Sequence, residues 1–269
     1  MYTAKLLPFG SFLLGVSFKE GDIDMVCASP QFIKRETHFH EDLYKIFKAN
    51  KNIKELKNII EANIPIISFI YNDQDIDISF AQFKLNILPE NIEGEIPEEL
   101  LEDMTEKDVD SLNGRRCNQS IINSVKDQEK FKNTLKFIKL WAKSKGVYNN
   151  MLGFLGGISW AILVAKICQM FPNYEVNQLI NEFFYYYTHW DFSQIPIKIK
   201  EYYENTKHKH YNIKKRKESI FMNVMTSCFP EYNSTAHLSE FEQSKNKQIM
   251  KNIAQDQNEE ENINLDDFM

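Results

Sequence analysis

The stretch Phe9-Gly10-Ser11, followed by Gly15 and by Gly21-Asp22-Ile23-Asp24, joins a helix-opening Gly-Ser turn to two aspartates spaced two residues apart. In an extended strand, side chains at i and i+2 share a face, so Asp22 and Asp24 present two carboxylates side by side. Such a pair is costly unless a cation neutralises it, and a hard divalent ion such as Mg²⁺ or Mn²⁺ suits carboxylate oxygens. A helix opening at Gly10 and Ser11 offers free backbone N–H groups and a hydroxyl to an anion. Metal-binding carboxylates beside a phosphate cradle are what nucleotidyl transfer requires.

A third carboxylate follows in Ile76-Asp77-Ile78-Ser79-Phe80. This run comes after the apolar stretch 64–71, with Asn72-Asp73-Gln74 as turn residues between them, and the pair predicts a hairpin. Asp77 then sits on the second strand, with Asp75 one alternation earlier on the same face. The sequence leaves open whether that strand lies beside Asp22 and Asp24.

The elements that must hold these residues read as an α/β arrangement. The N-terminus up to Phe9 predicts a strand, as do Met25-Val26-Cys27 and residues 53–61, 64–71 and 76–80. Between them, Thr37 to Asn50 carries Phe39, Leu43, Ile46 and Phe47 at helical spacing. Residues 92–108 are acidic, contain Pro97 and read as a surface linker. A helical pattern then runs to about residue 205, with one stripe at Phe131, Leu135, Ile138 and Ala142 and another at Leu155, Ile158, Ile162 and Ala165. His38-Phe39-His40 suggests a metal pair, but i, i+2 spacing on a helix separates the two imidazoles, so a solvated helix start is the expectation. Residues 206–218 are polar and basic; Lys214-Lys215-Arg216-Lys217 reads as an import signal, a phosphate patch or a solvated loop. The segment from about Glu240 is rich in Asn, Gln and Glu and is expected to be disordered.

Composition narrows the classes. The chain has 269 residues, 43% of them hydrophobic, enough for a sizeable core in one or two domains. Four scattered cysteines without a C-x-x-C pair argue against a zinc site or a disulfide framework. The apolar run 151–165 is too short to span a bilayer, so no membrane partner is expected. The formal net charge is −6, and the six acids from Asp256 onward, with no Lys or Arg among them, account for all of it. The rest of the chain is neutral, so nucleic-acid binding must rest on local patches.

Gly10-Ser11 followed by Asp22-Ile23-Asp24 resembles the DNA polymerase β-type nucleotidyltransferase signature. The wider wording resembles the eukaryotic nuclear poly(A) polymerases: Phe9 to Val16, Gly21 to Asp24, Ser111-Leu112-Asn113-Gly114, Ile138 to Lys143, Val147 to Asn150, Leu152 to Ala161, and Pro230 with Asn233-Ser234-Thr235. This resemblance covers roughly residues 5 to 240. It implies a polymerase β-like palm with a mixed sheet over residues 1–91 and a helical central domain over 92–239; composition makes 240–269 an acidic disordered tail. The active site is expected in the cleft between the two domains. It also implies a short form, without the family's N-terminal helical segment or its C-terminal RNA-binding domain.

The resemblance implies roles as well. Asp22, Asp24 and Asp77 hold two Mg²⁺ or Mn²⁺ ions. Phe9, Gly10, Ser11, Lys139, Lys143 and Tyr148 contact the nucleoside triphosphate; Gly156, Gly157 and Ile158 lie where it enters. Asn113 sits by the nucleotide sugar and favours ATP. Thr226 lies near the adenine, although its usual Pro neighbour is Ser227 here. The reaction implied is template-independent transfer of AMP from ATP to an RNA 3′ end, in the nucleus, with an RNA-binding or processing-factor partner. Two other readings remain: a catalytically inactive, polymerase-like scaffold, and a terminal nucleotidyltransferase using UTP or another acceptor.

Overall fold

The computed structural model describes residues 4–19, 21–148, 154–192, 194–201, 222–228 and 231–236. The described residues divide between two compact units, one ending at Ser120 and the other beginning at Ile121.

The first unit is built on a five-stranded mixed sheet of order β1-β2-β5-β4-β3. Its strands are β1 (Lys5–Phe9), β2 (Ile23–Ser29), β3 (Ile53–Ile59), β4 (Ile66–Tyr71) and β5 (Gln74–Gln82). β2 and β5 are parallel neighbours; the other pairs are antiparallel. The β4–β5 hairpin closes on Asn72 and Asp73, both at positive φ (51° and 59°), as a two-residue turn between right-twisted strands demands.

Alternation along the strands gives the sheet two faces. Cys27, Ile67, Phe69, Ile78 and Phe80 form one core with Phe39. Covering it are a π-helical segment (Arg35–Leu43) and the short helix α2 (Tyr44–Ala49). The expected stripe is kept at Phe39, Leu43 and Phe47, which face this core, but Ile46 is 65% exposed. His40, expected in solvent, is buried, with its ring nitrogen Nδ1 2.6 Å from the Asn58 side-chain oxygen. The wider π turn, in which the Phe39 N–H reaches the Lys34 carbonyl five residues back, rotates these side chains away from ordinary helical phase.

On the opposite face Leu7, Val26, Ala28, Ala81 and Phe83 meet Ile92, Ile96, Leu101 and Leu112. Residues 92–101 are therefore part of a core, not a surface linker: charge dominates the composition there, but the few apolar side chains all turn inward. Helix α3 (Glu106–Ser124) follows and is shared between the two units. The expected boundary after residue 91 thus differs from the division observed, which falls inside α3.

The second unit contains α4 (Gln128–Ser144), α5 (Gly157–Met170) and α6 (Val176–His189). The stripe expected on α4 is present; of the other, Ile158, Ile162 and Ala165 lie on α5 while buried Leu155 precedes it, and Trp160 to Ala165 are fully buried. Trp141, Trp160, Phe183 and Phe184 pack edge-on around it. Among the described residues, no helix is long and apolar enough to cross a membrane. The basic stretch 206–218 and the acidic tail lie outside the described residues.

Candidate active site

The Gly-Ser turn is the junction of β1 with the four-residue helix α1 (Gly10–Leu13). Gly10 lies at φ +64°, and a Cβ there would overlap the Asp24 carboxylate, so glycine is required for two reasons at once. Gly114, quoted above only as part of a motif, and Asn118, which the sequence reading passed over, secure this turn from α3. Gly114 accommodates the Phe9 ring, where a Cβ would stand 2.8 Å from Phe9 Cδ2. One turn on, buried Asn118 accepts the Gly10 N–H at 2.6 Å. Their i, i+4 spacing against consecutive Phe9 and Gly10 is the signal that could have found Asn118. Arg115, between them, donates to the Pro8 carbonyl at 2.9 Å and to the Glu93 carbonyl.

Asp22 stands just before β2 and Asp24 lies on it. The parallel pairing sets Asp24 directly opposite Asp77 on β5, which answers the question the sequence left open. Opposed residues share a face. Burial, then Asp77, then Asp22 push the Asp24 carboxyl up to about 6. Asp22 is raised by burial and by the charges of Asp75 and Asp77. No basic side chain among the described residues offsets either shift. Among those residues no three such side chains are already gathered as a metal-ligand set. An all-oxygen group of like charges on adjacent strands nevertheless has the chemistry a hard divalent cation completes.

Asn113 lies within α3. Its side chain lies 3.5 Å from Asp110 Oδ1 and 3.4 Å from Arg116 Nη1.

The second unit gathers a separate, basic group. α4 ends in a Schellman turn: Gly146, at φ +68°, donates to the Lys143 carbonyl and Val147 to the Ala142 carbonyl. Buried Val147 anchors this turn, which folds Tyr148 back over the last turns of α4. Lys139 Nζ and Lys143 Nζ then lie 5.9 and 5.7 Å from the centre of the Tyr148 ring. Lys143 is exposed, whereas Lys139 is buried, and burial followed by the Lys143 charge brings its pKa down to about 8. Burial raises the Tyr148 hydroxyl, which stays protonated and able to donate.

That hydroxyl also lies 2.9 Å from where a Cβ on Gly157 would stand. Gly157 thus leaves the space that the Tyr148 hydroxyl occupies. α5 opens at Gly156 with no side-chain cap, and the first backbone N–H groups of a helix are donors of the kind an anion can accept. Thr226 is engaged elsewhere: its N–H donates to the Tyr232 carbonyl at 2.8 Å and its hydroxyl oxygen accepts the Tyr232 N–H at 2.9 Å.

Comparison with known proteins gives the same two parts. The family model for the Poly(A) polymerase nucleotidyltransferase domain matches residues 2–125, and that for the Poly(A) polymerase central domain matches residues 130–267. A Poly(A) polymerase of Dictyostelium discoideum is 37% identical over 238 residues, 88% of this chain and 29% of that protein. Nuclear poly(A) polymerase 1 of Arabidopsis thaliana is 38% identical over 188 residues, 70% of this chain and 26% of that protein. The chain spans less than a third of the length of these relatives. Among solved structures, the Cid1 poly(U) polymerase is 14% identical with a TM-score of 0.64, over 93% of this chain and 80% of that one. A cytoplasmic RNA terminal U-transferase has a TM-score of 0.65 at 14% identity, over 93% of this chain and 80% of that one. This likeness is one of fold: a polymerase β-like nucleotidyltransferase sheet with a helical domain after it.

Proposed function

The chain belongs to the poly(A) polymerase family, and from that premise we propose that it adds AMP from ATP to RNA 3′ ends without a template, in the nucleus. The observation that carries this reading is the parallel register that sets Asp24 against Asp77.

Asp22, Asp24 and Asp77 are the groups that would hold divalent metal. A pair of divalent ions held by these carboxylates would supply Lewis-acid chemistry, lowering the pKa of the 3′-hydroxyl and stabilising charge on the pyrophosphate. Gly10 and Ser11 lie beside this cluster and offer backbone N–H and hydroxyl donors to phosphate oxygens. Asn118 acts through Gly10, as a positioning residue. Lys139, Lys143, the Tyr148 hydroxyl and the opening of α5 hold the triphosphate through charge-assisted hydrogen bonds. Asn113 reads the nucleotide. The protein's part in the reaction is orientation and charge stabilisation, with no covalent step on the chain. The Arabidopsis relatives, named as nuclear enzymes, support the location.

The test is a tailing assay with the full chain, Mg²⁺, a short labelled RNA primer and each of the four nucleoside triphosphates. ATP is the expected donor, and Asp24→Asn or Asp77→Asn should lower transfer by at least about a hundredfold, the loss that even weaker perturbations of a metal site produce. A folded chain that transfers nothing would instead be the inactive scaffold, and a preference for UTP would make it a terminal uridylyltransferase.

A further inference from the structure

The register that joins Asp24 to Asp77 continues across the sheet. Asp77 pairs with Ser68 on β4, and Ser68 with Lys57 on β3. One row away, Asp75 pairs with Ile70, and Ile70 with Lys54. Directly opposed residues share a face, so two lysines at the sheet edge stand on the same face as the carboxylates. With strands about 4.8 Å apart, β3 lies roughly 10 Å from β5.

Lys54 and Lys57 are three residues apart and in a regular strand would point to opposite faces. A β-bulge between them, with Glu55 at φ 49°, inserts one residue and restores Lys57 to the face of Lys54. Leu56 turns the other way, into the apolar core with Ile67 and Phe69. A non-glycine residue at positive φ is strained, so the fold sustains this bulge at a cost. What the bulge achieves is the shared direction of the two lysines.

Higher up, the same face is covered by Leu101 and Leu112 packing on Val26 and Ala81. At the lysine end it is open, with the Lys54 and Lys57 side chains 66% and 64% exposed. Their partners, Asp73 at 3.2 Å and Glu55 at 3.9 Å, are exposed surface charges whose pairing is weak.

We propose that this strip is the track for the acceptor RNA. The 3′-hydroxyl lies at Asp24 and Asp77, the strand runs back past Ser68 and Ile70, and Lys57 and Lys54 neutralise the backbone phosphates just upstream. The inference rests on the reading that this chain extends RNA. Charge complementarity orients the strand: the uncharged 3′ terminus meets the acidic end of the row and the phosphates meet the basic end.

Fluorescence anisotropy of a short 5′-fluorescein oligo(A) RNA, titrated with the full chain across a salt series, tests the track beside tailing kinetics. Lys54→Glu with Lys57→Glu should weaken binding several-fold and flatten the slope of log K against log salt by about 1.4, two single-strand phosphate contacts. KM for RNA should rise while KM for ATP stays unchanged. Lys48→Glu with Lys51→Glu makes the same change in charge at exposed positions on α2 and in the turn after it, and should move binding far less. Unchanged binding in the first pair, equal loss in the second, or no RNA binding by the wild-type chain at low salt would each overturn the track. A wild-type chain that binds RNA but transfers no nucleotide would overturn the proposed activity alone, and the binding comparison would still decide the role of the lysines.

Discussion

Lys139 is a cation held in an apolar helix face, 4% exposed, with a second lysine one turn away. Its pKa, brought down to about 8 from an ordinary 10.5, means that the folded state holds this proton less well than the unfolded chain. Its charge therefore costs stability below about pH 8, and the cost is relieved as pH rises from about 8 toward 10.5. A bound triphosphate would place negative charge beside it. Lys139→Met should then raise Tm at pH 7 by about 2–4 °C, with a gain that shrinks above pH 8, while KM for ATP rises. Thermal melts across this pH range, run beside ATP titrations, check both halves. A lower Tm at pH 7 would mean that the fold already compensates the charge.

At the scale of elements, two departures from regular geometry shape the sheet: the bulge at Glu55 and the tight turn at Asn72 and Asp73. The turn places two non-glycine residues in the left-handed region, where glycine carries no penalty. Asp73→Gly should therefore stabilise the chain by about 0.5–1 kcal/mol in urea unfolding. Its exposed pair with Lys54 contributes little to offset that gain. A β-branched residue there, as in Asp73→Val, should do the reverse. The hairpin itself was readable from apolar runs flanking Asn-Asp-Gln. The π-helical segment was not, because its apolar spacing at Phe39, Leu43 and Phe47 is also that of an ordinary helix. What separates the two is the burial of His40 and the exposure of Ile46, and those follow from packing.

At the scale of the whole molecule, the sheet unit is tied together at Asp108. This buried carboxylate accepts from Arg35 at 2.5 Å, from the Thr105 hydroxyl at 2.6 Å and from the Gln82 N–H at 3.1 Å. It thus links the π-helical segment, the end of β5 and the start of α3. Removing one member leaves a buried charge uncompensated, so Asp108→Ala should cost about 3–5 kcal/mol. Adding Arg35→Met should recover part of that loss in the same unfolding assay; a loss below about 1 kcal/mol would show that solvent already screens the pair. Taken alone, the sequence determined what depends on near neighbours: the Gly-Ser turn, the paired aspartates, the hairpin with Asp77 on its second strand and the helical stripes of α4 and α5. Each is set by spacings of a few residues, where backbone geometry and apolar period decide the outcome. The tertiary structure alone decided that β2 and β5 lie side by side, so that Asp24 meets Asp77 more than fifty residues away. It also decided that Asn118 holds Gly10, that residues 92–101 join the core and that a bulge turns Lys57 toward the carboxylates. These are contacts between distant segments, and packing of the whole chain selects them over alternatives that local preference leaves equal.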